Sequence, residues 1–220
     1  MGKIKRMLKS SDIADMGIGA MIVFIAMVLV AGIAASVLIQ TANKLEIQAM
    51  TTGDETINQV STGLSVSDIT GHKNGAVLNY AYITVQPRAG AGDIDLAKTY
   101  IEISNSAKKC VLTYTSGAFN LKSAINGDMF TAGFYTGLSS LQFGVIVLED
   151  ADSSMSNLYP IMNQGDKAAL TMYPSAANGF SGFAARTDVW GMVQPEEGSP
   201  GVFAFTTPAS LATTTVFDLY

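Results

Sequence analysis

MGIGAMIVFIAMVLVAGIAASVLI, residues 16–39, carries no charged side chain over its whole length. As an α-helix rising about 1.5 Å per residue it would span roughly 36 Å, more than the ~30 Å hydrocarbon layer of a bilayer. Lys3, Lys5, Arg6 and Lys9 precede it, opposed within that stretch by Asp12. By the positive-inside rule this cluster keeps residues 1–14 in the cytoplasm and sends the remainder outward. An ordinary secretory signal has a shorter apolar core, followed by a small-x-small cleavage motif. Here the run is longer and continues without a break.

Beyond it, Ile39, Ala42, Leu45, Ala49, Ile57, Val60 and Leu64 recur at helical spacing among Gln, Thr, Glu and Asn. No proline interrupts residues 1–86. The pattern predicts one long helix of about 50 residues, apolar at first and amphipathic later. The apolar part is rich in small residues. Ala31/Ala35 and Gly32/Ser36 sit four apart, so each pair opens a groove where another backbone can approach closely. Lipid tails are as apolar as leucine, so such a helix can leave the bilayer for a helix bundle at little hydrophobic cost.

The remaining sequence is of another kind. The charged fraction of the 220-residue chain is 14%, and beyond residue 66 Thr, Ser, Gly, Ala and Tyr dominate. Residues 15–220 hold 9 basic and 17 acidic side chains. That acidic balance excludes nucleic acid as a partner, which needs cations against phosphate. With one cysteine, Cys110, the chain has no internal disulfide, and Cys110 reads as a small buried hydrophobe in a strand. Runs rich in β-branched and aromatic residues predict strands at Val77–Val85, Thr99–Ile103, Cys110–Thr115, Gln142–Leu148, Ala168–Tyr173, Gly201–Thr206 and Thr214–Leu219. Turn signals separate them: Gly-Ala-Gly at 90–92, Asn-Gly at 126–127 and 178–179, and Glu-Glu-Gly-Ser-Pro at 196–200. The expected fold class is α+β, a long N-terminal helix followed by an all-β, sandwich-like head.

No catalytic constellation emerges. His72 is the sole histidine, in Thr-Gly-His-Lys-Asn-Gly, and reads as a solvated junction loop. There is no Gly-x-Ser-x-Gly elbow, HExxH, CxxC pair or P-loop. No cofactor is expected, with one reservation for a metal. Glu149, Asp150 and Asp152 form the densest acidic group, and three carboxylates near loop carbonyls suit calcium. A solvated acidic turn is the plainer alternative. The Asn-x-Ser/Thr sequon does not occur.

Residues 17–42, GIGAMIVFIAMVLVAGIAASVLIQTA, closely resemble the N-terminal helix shared by archaeal flagellins (archaellins), in the type IV pilin-like superfamily. KLEIQAMTTGDETINQVSTGL at 44–64 resembles the rest of that helix. YAYITVQPRAGAGDIDL at 80–96 and TTPASLATTTVFDLY at the end resemble parts of the family's head. The resemblance implies a class III (prepilin-type) signal, cut on the cytoplasmic side by a dedicated membrane aspartyl peptidase. Mapped here, the cut falls between Ala14 and Asp15. The family places a basic pair and a glycine just before the cut, where this chain has Ile13-Ala14. The implied domains are 1–14, class III signal peptide; 15–70, filament-core and transmembrane helix; and 71–220, extracellular β-sandwich head.

The resemblance further implies a secreted structural subunit of the archaeal flagellum, or archaellum, serving motility and not catalysis. Its partners would be itself and other archaellins in a helical homopolymer, the peptidase, the membrane platform and motor, and the cytoplasmic membrane before assembly. The mature protein would lie in an extracellular filament at the archaeal cell surface. Ile22, Phe24, Ile25, Met27, Leu29, Val30, Gly32, Ser36, Val37 and Leu38 would form the polymerisation surface. Two other readings stand beside it: an adhesive type IV-like pilin built on the same helix, and a membrane-anchored surface β-domain that stays unpolymerised.

Overall fold

The computed structural model describes residues 2–135, 137–139, 141–175, 180–212 and 214–219; the side chains of residues 2–15 and of Ala132 lie outside the described set. The chain divides into two compact units, Met1–Asp54 and Glu55–Tyr220. Its described residues, 2–54, all lie in helix α1, Gly2–Ser61. Alanine and leucine favour this helix, no proline breaks it, and three of its hydroxyls are satisfied locally. Thr41, Thr51 and Ser61 donate to the carbonyls of Leu38, Ile47 and Ile57 at 2.8–2.9 Å.

The second unit takes in the last turns of α1 and the head. Its strands are β1 Leu64–Asn74, β2 Val77–Pro87, β3 Ile94–Asp95, β4 Tyr100–Asn105 and β5 Lys109–Leu121. A short helix, α2 Ala132–Tyr135, precedes β6 Gln142–Glu149 and β7 Ile161–Met162. Then come β8 Lys167–Met172, β9 Asp188–Gln194, β10 Gly201–Thr206 and β11 Val216–Asp218. Nine of them form one sheet in the order β10-β9-β4-β5-β6-β8-β2-β1-β11, while β3 and β7 pair apart. The β5–β6 pair is parallel and its neighbours are antiparallel.

The sandwich-like head is thus one sheet curled on itself. Six strands lie between β10 and β1 in the order, yet the starts of both meet. Gly63 bridges Ser199, and Leu64 N donates to Ser199 O at 3.2 Å. The curl encloses the main core, with Leu64, Ile69, Ile83, Ile101, Phe143, Leu170, Val193 and Phe203 at 2% exposure or less. A second, smaller core lies on the other face of β2, β6 and β8. There Tyr80, Ile146 and Ala169 are covered by Ile125, Phe134, Tyr135 and Leu138. Burial on both faces explains why β6 reads as the continuous apolar run QFGVIVL.

Each predicted strand is found, Gly201–Thr206 at its expected bounds and the others with shifted ends. The helical domain, expected to residue 70, ends at Ser61, and residues 64–74 are β1, so the boundary moves into the predicted helix. Leu64 fits both the helical repeat and the strand alternation, and the core decides by taking Leu64, Val66 and Ile69. The junction is held by close backbone approach. Gly198 has φ +93°, and a Cβ there would lie 2.0 Å from Thr62 O. β9, DVWGMVQ, was not anticipated, because Gly191 interrupts its strand signal. The Asn126-Gly127 turn has both residues at positive φ, 50° and 80°. The turn expected at 178–179 lies outside the described residues.

Candidate functional site

The first candidate site is the helix. Every described side chain from Met16 to Val60 is exposed within this chain. The ten residues expected to drive assembly are all in α1, and Ile22, Phe24, Ile25, Met27, Leu29, Val30, Val37 and Leu38 are among the exposed large hydrophobics. At roughly 100° per residue they do not form one stripe but surround the axis. Ile25, Leu29, Gly32 and Ser36 fall on one side, Met27 and Leu38 on the opposite one, and Phe24 on a flank between them. A helix that is apolar all round is stable only where every side is buried, in lipid or among other helices. Met16–Ser61 contains a stretch long and apolar enough to cross a membrane. A Cβ added at Gly32 would meet nothing within 4 Å, so the notch at Gly32 and Ser36 is open to another chain. Ala14 and Asp15 lie in the same helix, but their side chains lie outside the described residues.

The second is a carboxylate cluster in the head, and it differs in membership from the sequence expectation. Asp150, Asp152 and Asp166 place carboxylate oxygens within 4.8 Å of one another. Glu149 does not join them. Its register partner across β6 and β8 is Lys167, and the two side chains pair at 2.8 Å in solvent. The hydrogen bond from Lys167, and then its charge, hold the Glu149 carboxyl below its ordinary pKa.

Asp166 was missed because it lies fourteen residues beyond Asp152, after the turn at Gly165, where φ is +104°. It is 1% exposed and is the centre of the loop. Its oxygens accept from Ala151 N at 3.2 Å, Asn163 N at 3.0 Å and Ser154 Oγ at 3.5 Å. Asp150 accepts from Ser154 N and Met155 N, both at 3.2 Å. Asp152 accepts from Asn163 Nδ2 and Ser154 N, bonds that hold its carboxyl below the usual range. Three carboxylates brought together by turns leave negative charge that a hard, oxygen-preferring cation would neutralise.

His72 is not in a solvated loop, as expected, but in β1. Its ring stacks on Phe130 at 5.0 Å and Tyr80 at 5.8 Å, and its Nδ1 is buried without a hydrogen-bond partner. It is part of the aromatic outer core. Nearby, Tyr135 donates its hydroxyl to Met129 O at 3.0 Å, and burial raises its pKa far above the ordinary range. Cys110 is half-buried in β5 against the main core.

A family model described as archaeal-type flagellin matches residues 14–205. Flagellin B2 of Methanocaldococcus jannaschii is 44% identical over 206 residues, covering 90% of this chain and 91% of that protein. The crystal structure of archaeal flagellin FlaB1 from the same organism superposes with a TM-score of 0.64 at 32% identity. That match covers 72% of this chain and 96% of FlaB1. A chain from the archaeal flagellum of Methanospirillum hungatei shares the fold, with a TM-score of 0.63 at 15% identity over 92% of this chain and 98% of that one. The family model runs through the helix and most of the head, so this chain belongs to the archaeal-type flagellin family and is a structural archaellin subunit, not an enzyme.

Proposed function

We propose that this archaellin is made as a membrane precursor and is cut between Ala14 and Asp15 by a prepilin-type aspartyl peptidase. The mature chain then passes from the cytoplasmic membrane into an extracellular filament with copies of itself and other archaellins. The filament stands on the archaellum's membrane platform and motor. The observation that carries this is α1 itself, apolar on every side over residues 16–39 and exposed from Met16 to Val60. Lipid can bury the apolar stretch before assembly, and a helical bundle can bury it afterwards. Residues 1–14 oppose the second step. Lys3, Lys5, Arg6 and Lys9 would enter the bundle without partners enough, and buried unpaired charge is costly. Cleavage leaves an almost chargeless leading end. Contacts between copies are heterologous, so the assembly extends along a helix and does not close.

For the head we propose calcium on Asp150, Asp152 and Asp166, supported by their mutual distance and by the burial of Asp166. The ion would tie the loop after β6 to the turn before β8.

The direct test is N-terminal sequencing of filaments sheared from cells that make this chain. Asp15 as the first residue of a pelletable polymer is expected. An intact Met1 in the membrane fraction, with nothing in the pellet, would overturn the proposal.

A further inference from the structure

Asn-Gly occurs at residues 74–75, 126–127 and 178–179, and the fold holds the two described pairs differently. Asn74, Gly75, Asn126 and Gly127 are all exposed, so access to solvent does not separate them. The first pair is in the β1–β2 hairpin. Asn74 ends β1 in register with Val77, which leaves Gly75 and Ala76 as a two-residue loop, with Gly75 at φ +82°. Asn74 O accepts from Asn79 Nδ2 at 3.2 Å, but the Asn74 carboxamide and Gly75 N have no partner among the described residues. Nothing lies within 4 Å of where a Cβ on Gly75 would stand. The second pair is tied down. Gly127 N donates to Lys122 O at 3.3 Å and Asp128 N to Ile125 O at 3.0 Å, while Asn126 is in the left-handed region at φ 50°.

We propose that Asn74 is a site of spontaneous deamidation in the folded chain and that Asn126 is protected from it. Gly75 N gives up its proton to water and attacks Cγ of Asn74. The bond from Cγ to Nδ2 breaks, and ammonia leaves with a proton returned from water. The five-membered imide then takes up one water. Opening between Gly75 N and Cγ gives an aspartate at position 74. Opening between Gly75 N and the main-chain carbonyl carbon gives an isoaspartate, whose main chain runs through Cβ. No oxidant, reductant or enzyme enters. Glycine is the favourable neighbour because it has no side chain to crowd the attacking nitrogen. At Asn126 the same attack must first break the Gly127 N to Lys122 O bond and swing that peptide out of its turn.

The product alters the hairpin. Either form adds a negative charge next in sequence to Lys73, whose Nζ donates to Leu211 O and Ala212 O. Isoaspartate also lengthens the main chain where Asn74 and Val77 close a loop of two residues, and so disturbs the register at that end of the strand pair. Since no enzyme is needed, the converted fraction rises with the age of the subunit. The site stands on the head alone, whichever assembly the helix enters.

The test keeps the full chain in detergent at mildly alkaline pH and compares it with the same chain in concentrated guanidinium. Conversion at each Asn-Gly is followed by peptide mass spectrometry, and isoaspartate by methyl transfer from an isoaspartyl methyltransferase. Denatured, with both pairs equally free, the two sites should convert at similar rates. Folded, Asn74 should lead Asn126 by about fivefold or more, the worth of one intact backbone hydrogen bond. Equal rates in the folded chain, a lead for Asn126, or no conversion at Asn74 while the denatured chain reacts would each overturn the proposal. Asn74→Gln must close a larger ring, which forms more slowly, and should remove the methyl label from residues 74–75. Label persisting there would overturn it as well.

Discussion

Replacing Gly32 by leucine separates what the helix needs as a monomer from what it needs in a polymer. In the single chain nothing lies within 4 Å of an added Cβ, so the larger side chain meets no clash. Helix propensity improves by about 1 kcal/mol, and insertion into lipid also improves by a few tenths. Everything measurable on the isolated, membrane-bound precursor should therefore be unchanged or better. In the proposed filament the same side chain would fill the notch shared with Ser36, where a neighbouring helix would approach. Overpacking of a fitted contact costs about 1–3 kcal/mol, so the free-subunit concentration should rise roughly 5- to 150-fold. The assay compares membrane-inserted, processed subunit with sheared filament in cells lacking their own flagellins, for Gly32→Leu, Gly32→Ala and the unaltered chain. Processing should be equal in all three and filament yield should fall in the order Gly, Ala, Leu. Normal filament mass with Gly32→Leu would refute the reasoning and place that side of α1 away from any neighbour.

Gly191→Ala should weaken the head, because a Cβ there lies 2.2 Å from Glu102 O and 2.6 Å from Phe203 Cζ. A loss of about 1–3 kcal/mol is expected, read as a fall in thermal midpoint of roughly 2–12 °C. Millimolar calcium should raise the melting temperature of the full chain relative to chelator, and Asp166→Asn should remove that increment while Glu149→Gln keeps it. An unchanged response in Asp166→Asn would exclude the carboxylate cluster as the binding site. Acid should destabilise the head in one direction. Glu149 and Asp152 have folded pKa values lowered by hydrogen bonds from Lys167 and Asn163, so they bind fewer protons folded than unfolded. Their contribution is present above the ordinary carboxylate range, roughly pH 4, and is lost as pH falls through the lowered values. Both groups are exposed, so the slope in a urea titration against pH should be shallow, and a midpoint that rises on acidification would contradict it.

The helix was legible because its signal is local. Twenty-four residues without a charge admit few structures, and residues 16–39 state the length, the lack of breaks and the small residues directly. The strand runs of the head were legible too, since β-branched alternation is read within six or eight residues. Long-range packing decided what could not be read. Leu64 satisfies helical and strand spacing alike, and only closure of the sheet at Gly63 and Ser199 fixes it in β1. His72 stands in a polar stretch of sequence, and Phe130 and Tyr80, distant from it or across the strand pair, make it part of an aromatic core. The acidic cluster shows the same division. Asp150 and Asp152 are neighbours in sequence, but the β6–β8 register draws Glu149 away to Lys167 and the turn at Gly165 brings Asp166 in. Sequence by itself determined the apolar helix and the family, because those depend on residues close together in the chain. Tertiary structure alone decided the curled sheet, the end of the helix and the membership of the cluster, because each depends on contacts between residues far apart in sequence.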